Sequence, residues 1–210
     1  DERISELLKV AIQSDGVVEI INTKGEEFSL FDEQFLNDVA NMKEKNLAIE
    51  MLKKLLAQHI KKHQKKNLTQ AELFSEMLDK RLAEYLRGMI SNEEVIKELL
   101  EMAKLMKQHA EEGNALGLSD EEQAFYDALT RPRAVKDFYE NNQLVAMARE
   151  ITDALRKNRT LDWRQKETAR AKMRTMIKRL LKKYHYPPEE AQNAIEVVMR
   201  QCELWADNEE

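Results

Sequence analysis

This chain of 210 residues has one cysteine, three prolines and five glycines. Cys202 has no second cysteine with which to close an intrachain disulfide, which points to a reducing, cytoplasmic setting. So few turn-forming residues argue against a sheet-rich fold. No apolar run approaches the ~20 residues needed to span a bilayer, and no signal-peptide pattern opens the chain. Several catalytic signatures are missing as well. There is no G-x-x-x-x-G-K-[ST] to cradle a nucleotide phosphate, no G-x-S-x-G and no H-E-x-x-H. No lysine has an aspartate or glutamate two residues before it, which removes half of a common metal-dependent nuclease motif.

What is present is helix-forming. Hydrophobic residues make up 42% of the chain and charged residues 35%. The mix is rich in Ala, Glu, Lys, Leu, Arg and Met, which favour helix, so a mainly α protein is expected. The chain is long enough to bury a core without disulfides or metals. It starts at Asp1 rather than Met, which reads either as a trimmed initiator or tag or as a piece cut from a longer chain.

The apolar spacing predicts about seven to nine helices. Ile4, Leu7, Leu8 and Ala11 mark a first one. Residues 16–31 hold two short strand-like runs around Asn22-Thr23-Lys24-Gly25, which read as one small β-hairpin. Residues 33–66 carry apolar positions at helical spacing throughout and read as one long helix. Thr69…Glu72, Ser91…Glu94 and Ser119…Glu122 have the spacing of capping boxes. They predict helices over about 70–88, 92–112 and 120–130, with Gly88 and Gly113 as C-terminal caps. A short helix over about 132–139 follows. Three more fall over about 143–158, 163–184 and 188–206, with Asp162 as the N-cap of the second and Pro187-Pro188 between the last two.

Charge is unevenly placed. The net charge is −5, yet residues 149–186 carry thirteen Lys/Arg against four Asp/Glu. Residues 43–66 carry eight against two, so the remaining 148 residues hold −20. On a wheel of about 100° per residue, Ala169, Met173, Met176, Ile177, Leu180, Leu181 and Tyr184 share one arc of the helix 163–184. Arg164, Lys172, Arg174, Lys178, Arg179, Lys182 and Lys183 fill the other, and Arg156, Lys157 and Arg159 extend it. Three readings fit this basic face: solvated charge with no partner, a dock for an acidic protein surface, or contact with nucleic-acid phosphates. The apolar arc lacks the aromatic weight of a membrane-surface helix.

Other chemistry-bearing residues read as structural. His59 and His63 have a zinc-compatible spacing, but four lysines surround them and no third ligand is evident. Tyr184, His185 and Tyr186 could stack on bases, although a cluster at a helix end is more often packing. Trp163 and Trp205 read as packing anchors and Cys202 as a small core residue.

Five stretches together carry a resemblance: MKEKNLAIEMLKKLLAQHI (42–60), FSEMLDKRLAEY (74–85), LGLSDEEQAFYDAL (116–129), AREITDALRKNRTLDWRQKETARAKMRTMIKRLLKKYHYPPEE (148–190) and AIEVVMRQCELW (194–205). In this order and spacing they resemble the C-terminal helical region of the restriction (motor) subunit of type I restriction-modification enzymes, over about residues 33–206. The resemblance implies a junction helix and hairpin at 1–32 after an upstream motor, a helical region at 33–130, and a C-terminal helical region at 131–210 that carries the basic helix. It implies that this part is not itself catalytic and holds no cofactor. ATP and Mg²⁺ would serve the upstream motor and nuclease domains of an ATP-dependent DNA-translocating endonuclease. The implied partners are the modification (methyltransferase) and specificity subunits and double-stranded DNA, with no membrane. The basic face at Arg156, Lys157, Arg159, Arg164, Lys172, Arg174, Lys178, Arg179, Lys182 and Lys183 would then meet DNA phosphates or an acidic surface of the modification subunit. An independent helical protein-interaction adaptor with no role on DNA remains the alternative.

Overall fold

A computed structural model describes residues 33–131, 135, 139–158 and 166–208. The described residues form eight α-helices and no strand. They are α1 (Glu33–Ala40), α2 (Lys45–Gln64), α3 (Leu68–Leu86), α4 (Asn92–Ala115), α5 (Asp120–Thr130), α6 (Asn141–Asn158), α7 (Glu167–Lys183) and α8 (Pro188–Asn208). The hairpin expected at 16–31, the junction helix before it and the cap expected at Asp162 lie outside the described residues. So does most of the short helix expected over 132–139. None of these helices is long and apolar enough to cross a membrane.

Three local expectations change. The stretch 33–66 is not one helix, because the chain turns at Asn41. The Asn41 side-chain amide donates to the Asn37 carbonyl at 2.8 Å, and Lys45 Nζ donates to the Ala40 carbonyl at 3.1 Å. The Lys45 side chain thus satisfies a carbonyl that a continuing helix would have used, while the Asn37 carbonyl also keeps its helical bond from the Asn41 N–H at 3.1 Å. The start of α3 is capped by Asn67, not Thr69: Asn67 Oδ1 accepts from the Gln70 N–H at 3.1 Å. The Thr69 hydroxyl is buried instead, without a hydrogen-bond partner. Gly113 lies inside α4, and a Cβ there would meet the Gln123 side chain at 2.3 Å. It allows a close approach, whereas Gly117, at φ 63°, takes the left-handed turn that follows. The other two capping boxes form. Ser91 and Glu94 exchange bonds of 2.7 and 3.2 Å, and Ser119 and Glu122 bonds of 2.8 and 3.3 Å.

The chain divides into two compact units. Among the described residues the first comprises 33–59 and 75–108. Phe35, Leu36, Val39, Leu52, Leu56, Val95, Leu99 and Met102 are buried in it. Arg81 bridges Glu84 at 2.8 Å and Glu98 at 2.6 Å. Gly88, at φ 69°, closes α3 through bonds from its own N–H to Tyr85 and from Met89 to Glu84.

The second unit comprises Ile60–Phe74 and the chain from His109 onward. Here α5 packs on α6 and α8, while α7 packs on α6 and α8, so the four helices close a ring. Phe125, Leu129, Leu144, Met147, Ile151, Ile177, Leu181 and Val198 fill it. Gln201, on α8, accepts from the Leu68 N–H at 2.6 Å and donates to the Lys66 carbonyl at 3.2 Å. Trp205 donates to the same carbonyl at 3.2 Å and meets Phe125 edge-on with centroids 5.0 Å apart. Asp127, buried on α5, accepts from Asn67 Nδ2 at 2.6 Å and lies 3.0 Å from His109 Nε2.

Candidate functional site

The basic face stands on α7, and the ring of helices sets its orientation. Met173, Ile177 and Leu181 recur every four residues and are buried, with Ala169, Met176, Leu180 and Tyr184 packed beside them. Burying each such side chain contributes about 1.5–3 kcal/mol, so the rotation of α7 about its axis is fixed. The alternating cations are left outside. Lys172, Arg174, Lys178, Arg179 and Lys182 are all exposed, and none has a carboxylate partner among the described residues.

Two flanking cations are engaged. Lys183 Nζ bonds the Glu150 carboxylate at 2.7 and 2.8 Å and lies 5.4 Å from the centroid of the Tyr184 ring. Tyr184 donates to the same carboxylate at 2.6 Å. The hydrogen bonds from Lys183 and then Tyr184 hold the Glu150 carboxyl below its ordinary value. The bond to Glu150, and after it burial, raises the Tyr184 phenol to about 12. Arg156 Nε bonds Glu121 at 2.6 Å. Lys157 is exposed at the end of α6. Arg159 and Arg164 lie outside the described residues.

The end of α7 is rigidly closed. Tyr184, His185 and Tyr186 send their N–H groups back to the carbonyls of Leu180, Lys182 and Leu181, and His185 takes φ 56°. Tyr186 is buried, donates to the Leu129 carbonyl at 2.7 Å and stacks on Tyr139 with centroids 6.5 Å apart. Burial, and after it neighbouring charge, pushes its phenol up. Tyr184 and Tyr186 are therefore packing residues, not free stacking platforms.

Arg170, left off the sequence-derived face, is half-buried on α7 and bridges Glu203 on α8 at 2.6 Å. Its position between the two arcs is visible on a wheel, but its partner, 33 residues away, is not. Among the described residues no group of three or more His, Cys, Asp or Glu is placed to hold a metal ion. Burial, then Lys66 and Lys62, push the His63 imidazole below its ordinary value.

Three comparisons bear on what carries this face. Residues 1–208 match the family described as type I restriction enzyme HindI endonuclease subunit-like, C-terminal. The chain is 34% identical over 208 residues to the type I restriction enzyme HindI endonuclease subunit of Haemophilus influenzae, covering 98% of this chain and 20% of that protein. It is 30% identical over 168 residues to the putative type I restriction enzyme MjaIXP endonuclease subunit of Methanocaldococcus jannaschii, covering 80% of this chain and 16% of that one. It thus spans a fifth or less of the length of either relative. No solved structure matches.

Proposed function

The chain belongs to the family of C-terminal regions of HindI-like type I restriction endonuclease subunits, and on that premise we propose that it is a non-catalytic helical module that joins the subunit to its methyltransferase core and contacts the DNA backbone through α7. One observation carries the DNA role. Five exposed cations without carboxylate partners among the described residues (Lys172, Arg174, Lys178, Arg179 and Lys182) share the side of α7 opposite its buried stripe. Phosphates are spaced regularly along a duplex and bind such a row without reading its sequence. The anionic remainder of the chain would keep away from the duplex and restrict contact to this side. The sequence has no phosphate-binding loop. ATP and Mg²⁺ would act on parts of the parent enzyme beyond this chain, in the cytoplasm, with the modification and specificity subunits as partners.

The test is equilibrium binding of the chain to a labelled duplex lacking any recognition site, over a range of salt. The expected result is a steep fall of log affinity with log salt. Each phosphate that a cation neutralises steepens that fall by roughly 0.9. Arg174→Glu, Lys178→Glu, Arg179→Glu and Lys182→Glu together should therefore weaken binding by about a hundredfold or more. Unchanged duplex binding with lost binding to the purified methyltransferase core would instead make α7 a protein dock.

A further inference from the structure

The sequence has a second cationic stretch, 43–66, that the α7 face does not account for. Its densest part is the end of α2, where Lys61, Lys62, Lys65 and Lys66 fall within six residues. All four are exposed. Lys66 bonds Asp120 at 2.9 Å, while Lys61, Lys62 and Lys65 have no carboxylate partner among the described residues. Lys61 and Lys62 lie in the last turn of α2, and Lys65 and Lys66 in the turn that follows it.

The first turn of α5 shows where this cluster lies. Its three successive carboxylates each face a cation from another helix. Asp120 takes Lys66 from the end of α2, Glu121 takes Arg156 from the end of α6, and Glu122 lies 3.9 Å from Arg149 of α6. The C-terminal ends of α2 and α6 therefore meet at adjacent residues of α5, within one compact unit. Two basic segments about ninety residues apart in sequence are brought together there, and α6 leads on to α7. The acidic turn pairs with the cations that face it, and Lys61, Lys62 and Lys65 are without a carboxylate partner among the described residues. Half-buried among them, His63 has its proton affinity lowered by burial and by Lys66 and Lys62, as expected of a positive local potential.

We propose that Lys61, Lys62 and Lys65 form a second phosphate-contacting surface, which engages the DNA backbone together with the α7 face across the α5 N-terminus. The proposal rests on the DNA reading of α7 given above. A polyanion of regular charge spacing is the occupant that fits. The patch is lysine without interleaved apolar side chains, so it offers point charges to phosphates and little area for a packed protein interface.

The experiment uses the 210-residue chain, a labelled duplex without a recognition site and salt between about 50 and 200 mM. It compares the unaltered chain, the α7 variant above, and Lys61→Gln with Lys62→Gln and Lys65→Gln. Circular dichroism and thermal melting confirm that each variant is folded. The α2 variant should lower the log–log slope by about 2 to 3 and weaken binding at least tenfold, with the α7 variant adding a further loss. An unchanged slope in the α2 variant, beside a clear loss in the α7 variant, overturns this proposal and leaves the α7 reading standing. Loss in the α2 variant alone overturns the α7 reading and, with it, the joint engagement proposed here. No duplex binding by the unaltered chain overturns both.

Discussion

The first turn of α5 and the outer side of α7 are both densely charged, and they handle charge in opposite ways. At α5 each carboxylate has a cation facing it, and two of the three are within direct bonding distance. On α7 five cations stand without a carboxylate among the described residues. The first arrangement balances charge between helix ends, and exposed pairs of this kind contribute about 0–1 kcal/mol each. The second has no such counterpart among the described residues. Charge held in pairs supports the ring of helices, and charge left open is available to something outside it. Total charge says nothing about this division. Arg156 and Lys183 resemble Arg174 and Lys178 in sequence, yet they are tied to Glu121 and Glu150.

That contrast can be broken most sharply on α7 itself. Ile177 is fully buried and Lys178, its neighbour, is exposed. Ile177→Ala should cost about 3 kcal/mol in urea unfolding, whereas Lys178→Ala should stay within about 0.5 kcal/mol. Comparable losses at both positions would mean that the outer side is packed against something after all. Tyr186→Phe comes next, because it removes the hydrogen bond to the buried Leu129 carbonyl, and should cost about 1 kcal/mol. Burial raises the Tyr186 phenol above its ordinary value of 10.0. The stability it contributes is then complete below pH 10 and is lost as pH climbs toward the raised folded value. The Phe variant should lack that alkaline loss in a thermal-melting series.

The smallest effect belongs to Glu150. Its carboxyl titrates lower in the folded chain than its ordinary 4.5, so its contribution is complete above that value and disappears as pH falls through the folded one. The side chain is 34% exposed, which screens the interaction to a few tenths of a kcal/mol. Glu150→Gln should flatten that much of the acid limb. The same variant releases Lys183, and a modest gain in duplex affinity would place that lysine beside the open cations.

Much of the architecture was legible because helical spacing and caps are local. The start of α5 follows from the Ser119–Glu122 box alone, and the buried stripe of α7 follows from its wheel. What was not legible depended on distant residues or on competition between neighbours. The first helix ends at Ala40 although the apolar pattern continues straight through Asn41, and the Lys45 side chain takes the Ala40 carbonyl that a further turn would have used. Thr69 and Glu72 have the spacing of a box, but Asn67 caps the helix first and Glu72 is drawn to Arg131 at 2.9 Å and to Arg200. Gly113 looked like a stop because only α5, packed against it, shows that a side chain would not fit. The basic side of α7 was found by counting, but which of its cations are already occupied required the partner helices.

Gln201 has a consequence for how the protein is made. Its side chain holds the turn between α2 and α3 from 133 positions further along the chain. A ribosome adding about 5–20 residues per second releases that turn roughly seven to twenty-seven seconds before the amide that fastens it. During that interval the Leu68 N–H and the Lys66 carbonyl have only water for company, and the lysines ahead of them emerge before α7 does. The nascent chain therefore displays its first cationic stretch while the bundle that will hold it in place is still being translated.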